Sequence, residues 1–351
     1  MRPIETSMTR VLPFSSDLEL RRRFVIVDRP MPGNLRFGLT LETLDKLAEE
    51  VALAYARKVA PEVRVVTAAI DEIRVRQTAD ATRDLHFLAR INYVGRTSME
   101  VGIRVEQKYP DTHVASCYFT MVAREGGRSI EIPPLEPVDS LEVRRVERAI
   151  ARRGRFREQQ EAALEPPTRE EFEMLQRLHR EQDAPGFGGL LVGSLSATSW
   201  ERVYLEQENV PEKIFGGYLI HRAYQLAEIH AEELATHSPV VAAVNRINFK
   251  QPVRIGDKLR FTSRVVYTGR TSIAVETRVE RIARGDKGCD LTNECTFTFV
   301  NVDEDLQPRP VVPVFPTTYD EDARYLAAYR RNVIDAAWKE LRQTRRVAAG
   351  E

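Results

Sequence analysis

Residues 91–107 read INYVGRTSMEVGIRVEQ and residues 265–281 read VVYTGRTSIAVETRVER. With Gly95 set on Gly269, Tyr93, Arg96, Thr97, Ser98, Val101, Arg104, Val105 and Glu106 each meet an identical residue 174 positions on. The same offset lays Ala68-Ala69-Ile70-Asp71-Glu72-Ile73 on Ala242-Ala243-Val244-Asn245-Arg246-Ile247. Downstream, CYFTMV (117–122) matches CTFTFV (295–300); upstream, Arg36-Phe37-Gly38 faces Phe215-Gly216-Gly217. Four blocks recurring in one order make the chain a tandem duplication, which fixes the architecture before any motif is weighed.

In each copy the glycine block leads into a helical pattern: Leu41, Leu44, Ala48, Val51, Ala52 and Tyr55 in the first, Leu219, Ile220, Ala223, Ala227 and Ile229 in the second. Steps of three and four gather such residues on one stripe of a helix. Alternating β-rich runs follow at about 63–76, 83–93, 97–108 and 113–123, and again at about 239–253, 258–268, 271–282 and 291–302. Gly95-Arg96, Gly256-Asp257 and Gly269-Arg270 mark turns between them. One long helix followed by antiparallel strands is an α+β unit whose sheet wraps the helix. The expected layout is a lead-in over 1–30, unit one over 31–132, a charged and largely helical linker over 133–190, unit two over 191–305, and a C-terminal segment with a helix over 306–351.

The 351 residues suit about two domains. Lys plus Arg and Asp plus Glu each number 52, so the net charge is zero and no charge-driven binding to nucleic acid is expected. No apolar stretch approaches the roughly 18 residues of a spanning helix, which argues against membrane insertion. Cys117, Cys289 and Cys295 lack zinc-ligand spacing, and their odd number does not suit a disulfide scaffold. The first thirty residues hold no apolar core for a secretory signal, and Glu5, Asp17 and Glu19 speak against an organelle presequence. Cytoplasm is therefore the expectation, with the mitochondrial matrix as the alternative. The alternating charges of 139–183 read as a solvated helix broken at Pro166-Pro167. Leu326, Tyr329, Val333, Ala337 and Leu341 form a stripe on a C-terminal helix that packs on one of the units. The six histidines form no H-x-x-x-H or H-E-x-x-H pair, Ser98 and Ser272 lie outside any G-x-S-x-G elbow, and no phosphate loop occurs. Neither metal nor cofactor is expected.

Asn209-x-x-x-x-x-Phe215-Gly216-Gly217 with a helix behind it, and INFKQPVRIGDKLRFTSRVVYTGRTSIAVETRVE (247–280), resemble the signature of hotdog-fold acyl-CoA thioesterases of the double-hotdog kind. LRFGLTLETLDKL (35–47), VGRTSMEV (94–101) and IFGGYLIHRAYQLA (214–227) are most similar to its mitochondrial-type subfamily, acyl-CoA thioesterase nine. The resemblance covers both copies and the lead-in. It implies tandem hotdog domains forming an intramolecular pseudo-dimer, with joined sheets around two antiparallel helices and the acyl-CoA substrate in the seam between units. It further implies that an Asn eight residues before the second glycine of one unit works with a carboxylate seven residues after that glycine in the other. The Asn is Asn209 in copy two but Pro30 in copy one; the carboxylate is Asp45 in copy one but Tyr224 in copy two. Each copy has kept a different half, so one active site per chain is expected. Related proteins assemble, which leaves a homo-oligomer open.

Thioester hydrolysis must activate water and stabilise a tetrahedral oxyanion. Asp45 interrupts the apolar stripe of its helix, where burial raises a carboxyl pKa toward useful basicity. It is assigned as general base, or as nucleophile through a mixed anhydride. The unpaired N–H groups of Gly216 and Gly217 at a helix start suit the thioester oxygen, and Asn209 either orients the water or donates to the thioester. Tyr224 is expected to fill the space of the lost carboxylate. Arg270 and Arg96, with the hydroxyls and amides of Thr271 and Ser272 in the GRTS turn, are candidate contacts for CoA phosphates; the alternative is plain hairpins with solvated arginines. Two rival functions are a hotdog enoyl-CoA hydratase or dehydratase, which needs a His beside the carboxylate, and a non-catalytic acyl-CoA-binding protein. An approach of Asn209 and Asp45 within about 8 Å, room for a thioester and one water, separates the enzyme from the binding module.

Overall fold

The computed structural model describes the backbone of residues 1–348 except 30, 32, 211–212, 215, 246 and 286–287, and the side chains of these residues except 208–214 and 335–348. The lead-in forms strand β1 (Met8–Leu12) and a short helix α1 (Leu18–Phe24) whose first turn is capped by Asp17. Helix α2 (Phe37–Ala56) follows, with all six stripe residues from Leu41 to Tyr55 buried. Four antiparallel strands then cradle it: β2 (Arg64–Val75), β3 (Leu85–Val94), β4 (Ser98–Gln107) and β5 (Thr112–Glu125). The linker gives α3 (Ser140–Leu164) and α4 (Arg169–Gln182), divided at Pro166-Pro167. Copy two opens with β6 (Ser196–Arg202), then α5 (Gly216–Glu232), β7 (Ser238–Val244), β8 (Lys258–Thr268), β9 (Ser272–Ile282) and β10 (Asp290–Val302). Helix α6 (Tyr319–Ala348) closes the chain.

All these strands belong to one 12-stranded sheet in the order β1-β3-β4-β5-β2-β7-β10-β9-β8-β6. The copies join where β2 meets β7, Ile73 opposite Val244 and Arg74 opposite Ala243, so the backbone ladder crosses from one unit to the other. Helices α2 and α5 lie antiparallel on the inner face. Their crossing is close because Gly38 lacks a side chain: a Cβ there would sit 2.0 Å from Cδ2 of His221. His221 Nδ1 in turn meets Glu42 Oε1 at 2.6 Å. In the glycine-block alignment Glu42 and His221 are equivalent positions; this contact therefore marks the pseudo-dyad. The arrangement is the tandem α+β pseudo-dimer that the repeat predicts.

The structure departs from the sequence reading in three places. Each sheet gains an outer strand, β1 and β6, that the alternation of the repeats did not include. Ile229 and Val333 are about half exposed: Ile229 lies two residues after Ala227 and so leaves the stripe that the three-and-four spacing defines. The linker is also not merely solvated. Glu142, Ala149, Arg152 and Arg155 of α3 are buried, Arg152 pairing with Glu100 of β4 beneath the ring of Tyr118, and Arg155 with Glu72 of β2 at 2.6 Å. Helix α6 is tied down in a corresponding way on unit two, its Arg324 paired with Glu276 of β9. Buried guanidinium groups persist because each finds a carboxylate, without which their desolvation would be prohibitive.

Candidate functional site

Asp45 sits in the third turn of α2, facing α5, with none of its surface exposed. Two donors hold its carboxylate. The Thr67 hydroxyl, on β2, donates to Oδ1 at 2.6 Å, and the backbone N–H of Gly217, in the first turn of α5, donates to Oδ2 at 2.6 Å. The pairing of β2 with β5 shifts register between Thr67 and Ala69, and such a bulge re-aims the side chain next to it. Burial dominates the titration: it pushes the Asp45 carboxyl up from 3.8 to about 7, against the lowering effect of the two hydrogen bonds, with Glu49 adding a smaller upward push.

Space at position 216 favours glycine. A Cβ built there would lie 3.2 Å from Asp45 Oδ2 and 3.1 Å from Phe249 Cζ, closer than side-chain carbons ordinarily approach. The first turn of α5 is anchored from outside by Tyr218, whose hydroxyl contacts Glu201 of β6 and accepts from Gln207 Nε2 at 2.6 Å. Arg222 Nε donates to the same Glu201 at 2.9 Å. Gln207 stands two residues before Asn209. The backbone at Glu208–Val210 forms a short strand paired with Lys213–Ile214 immediately ahead of α5.

Of the residues singled out from sequence, the structure brings Asp45, Gly216 and Gly217 together, each copy supplying one wall. The side chain of Asn209 lies outside the described residues, as does Pro30 at the equivalent place in copy one. The Gly217 amide, expected at the thioester oxygen, instead donates to Asp45 because the two helices cross there, which leaves Gly216 to serve that oxygen. Tyr224 is a core aromatic: its ring packs against Phe37 at 5.3 Å and Phe297 at 5.5 Å, and its hydroxyl donates to Glu228 at 2.7 Å. The GRTS turns are tight hairpins. Gly269 N–H donates to the Ser272 carbonyl, the carbonyls of Arg270 and Thr271 accept from Val311 and Asn301, and Arg96 is exposed 4.0 Å from Glu131. Met99 pairs with Met121 and Met121 with Thr67, so the Arg96 hairpin lies level with Thr67, two strands or roughly 10 Å away. The Arg270 hairpin instead flanks the strand carrying Val241.

Thr67, Phe249 and the Glu42–His221 pair were not singled out from sequence. The duplication held a signal for Thr67: its equivalent in copy two is Val241, so a hydroxyl survives only in the seam that also keeps the carboxylate.

Among known proteins, a family described as the thioesterase superfamily matches residues 44–112 and 213–286, one segment in each copy. Acyl-coenzyme A thioesterase 9, mitochondrial, of Homo sapiens is 28% identical over 341 residues, covering 91% of this chain and 75% of that protein. Protein VdlD of Helicobacter pylori is 34% identical over 163 residues, covering 44% of this chain and 91% of its own. A solved acyl-CoA hydrolase from Staphylococcus aureus is 26% identical with a TM-score of 0.41, over 45% of this chain and 98% of that one. The chain belongs to the thioesterase superfamily, as a fused pair of hotdog units.

Proposed function

We propose that the protein hydrolyses acyl-CoA thioesters to free fatty acid and CoA at the seam between α2 and α5, with Asp45 as the base. The carrying observation is the Asp45 carboxylate, sealed from solvent, held by Thr67 and Gly217, and poised near neutrality at about 7. A carboxyl at that pKa is ionised in about half of the molecules at pH 7 and is far more basic than an exposed aspartate. Its two hydrogen bonds aim it while each oxygen keeps a lone pair for water. Water deprotonated by Asp45 attacks the thioester carbon, and the oxyanion that forms lies against the positive end of α5 at the Gly216 amide, the Gly217 amide being held by Asp45. Collapse of the intermediate expels the CoA thiolate, which takes up the proton. Asn209 is assigned to orient the water or the thioester. For the CoA phosphates, the sheet register favours Arg96, level with Thr67, over Arg270, Thr271 and Ser272 in the other hairpin.

Mitochondrial names among the relatives favour the matrix over the cytoplasm as the compartment; no helix among the described residues is long and apolar enough to cross a membrane. The hydratase reading gains one observation, the Glu42–His221 pair one turn from Asp45. CoA release from acyl-CoAs of graded length separates the readings. Wild type is expected to release free thiol, Asp45→Ala to lose at least 100-fold in kcat, and Asn209→Ala to lose activity as well. Turnover surviving both substitutions removes these residues from the chemistry. Hydration of an enoyl-CoA without thiol release would establish the rival.

A further inference from the structure

The pseudo-dyad gives the Asp45 seam a counterpart at the other end of the helix pair, and the structure holds there a cleft, partly open to solvent, with an internal cavity of about 50 Å³. Its wall includes the direct replacements of the catalytic residues: Tyr224 for Asp45, Val241 for Thr67, Val75 for Phe249 and Phe37 for Gly216. Carboxylate, hydroxyl and bare glycine are gone together from the positions equivalent to Asp45, Thr67 and Gly216. The space itself has not collapsed. Its lining is chiefly aliphatic.

Two polar groups on the wall limit what fits. Thr40 is 3% exposed and its hydroxyl has no hydrogen-bond partner among the described residues; interiors rarely leave such a group unpaired. Glu228 accepts from the Tyr224 hydroxyl, and burial pushes its carboxyl up to about 7, with Glu232 adding to the rise. A phosphate or a second carboxylate would be repelled by Glu228 whenever that group ionises. An uncharged carbonyl on a hydrocarbon tail would satisfy Thr40 and the aliphatic wall at once.

We propose that this second seam binds an aliphatic acyl chain without cleaving it, the Thr40 hydroxyl donating to the carbonyl of the chain. The choice of an acyl ligand rests on the thioesterase reading of the first seam; the cavity and its unpaired hydroxyl do not. The chain could arrive on CoA or as the free acid, and the test distinguishes these sources. S-(2-oxododecyl)-CoA, a ketone in which a methylene separates the sulfur from the carbonyl so that it cannot be hydrolysed, and decanoate are titrated calorimetrically into wild type, Val241→Phe, which fills the cavity, and Thr40→Val, which keeps its shape. Wild type is expected to show two binding classes for S-(2-oxododecyl)-CoA. One class is lost in Val241→Phe and weakened several-fold in Thr40→Val, while Val241→Phe still releases CoA from acetyl-CoA at the wild-type rate. Decanoate competing for that class, more weakly as pH rises through about 7 and Glu228 ionises, identifies the free acid as a ligand; failure to compete identifies the CoA ester, and either supports the site. A single class indifferent to both substitutions overturns it. Absence of thiol release beside a Val241-sensitive class would refute the hydrolase reading and leave this site standing.

Discussion

A carboxyl group that titrates near 7 in the folded chain and near 3.8 elsewhere holds its proton more tightly when folded. The stability this confers is complete below about 4 and is lost as pH climbs through about 7, a difference worth roughly 4 kcal/mol. Asp45→Asn keeps one acceptor for Gly217 and removes the charge, so it is expected to raise unfolding free energy by about 2 kcal/mol at pH 8, with the gain fading toward pH 4. Urea denaturation across that range checks it. Activity runs the opposite way, because the base is the ionised form: kcat/KM is expected to rise with pH to a plateau above about 7 in wild type and to lack this limb in Asp45→Asn. Gly216→Ala forces a methyl against Asp45 and Phe249, and steady-state kinetics should show kcat falling by about 100-fold with the fold intact by circular dichroism. Asp45 was legible through the family resemblance, which places a carboxylate seven residues after the second glycine; its place in the apolar stripe agrees with that but does not by itself tell it from a solvent-facing carboxylate. Thr67 was not, since its contact with Asp45 follows from sheet curvature and a bulge rather than from any spacing along the chain.

Helix α3 shows what a charge pattern conceals. Its alternating Arg and Glu residues have the composition of a solvated helix, and most of its length is one; yet Arg152 and Arg155 reach carboxylates on β4 and β2 beneath it. Sequence cannot tell a buried ion pair from an exposed one, because the partners lie about fifty and eighty residues apart and share no period. Removing one partner leaves the other charge stranded. Arg152→Ala, with Glu100 left at 1% exposure, is therefore expected to cost about 3–5 kcal/mol, whereas an Arg152→Met, Glu100→Met double substitution should cost much less. Thermal melts of the three proteins test the difference. The helices α2 and α5 were legible from their apolar stripes; their closeness was legible only in the glycine at 38, whose missing side chain makes room for His221.

The whole molecule is one sheet and one helix pair built from two copies, and its candidate site belongs to neither copy alone. Polypeptides 1–190 and 191–351 are each expected to be inactive, since one carries Asp45 and the other Gly217, and each exposes a β-strand edge where β2 met β7. Size-exclusion chromatography should find the separate halves associated or aggregated, and co-expression should restore thiol release. The repeat made this architecture readable, because four ordered blocks constrain topology more tightly than any local propensity. Which seam keeps the buried carboxylate was also readable, from the asymmetry of Asp45 and Tyr224. The contact between Glu42 and His221 carries one more consequence. On the axis of two separate identical subunits, each residue would face its own twin, acid against acid or imidazole against imidazole. Covalent fusion freed the two positions to differ, so a self-opposed clash could become a complementary lock at the centre of the molecule, a solution closed to any assembly of identical chains.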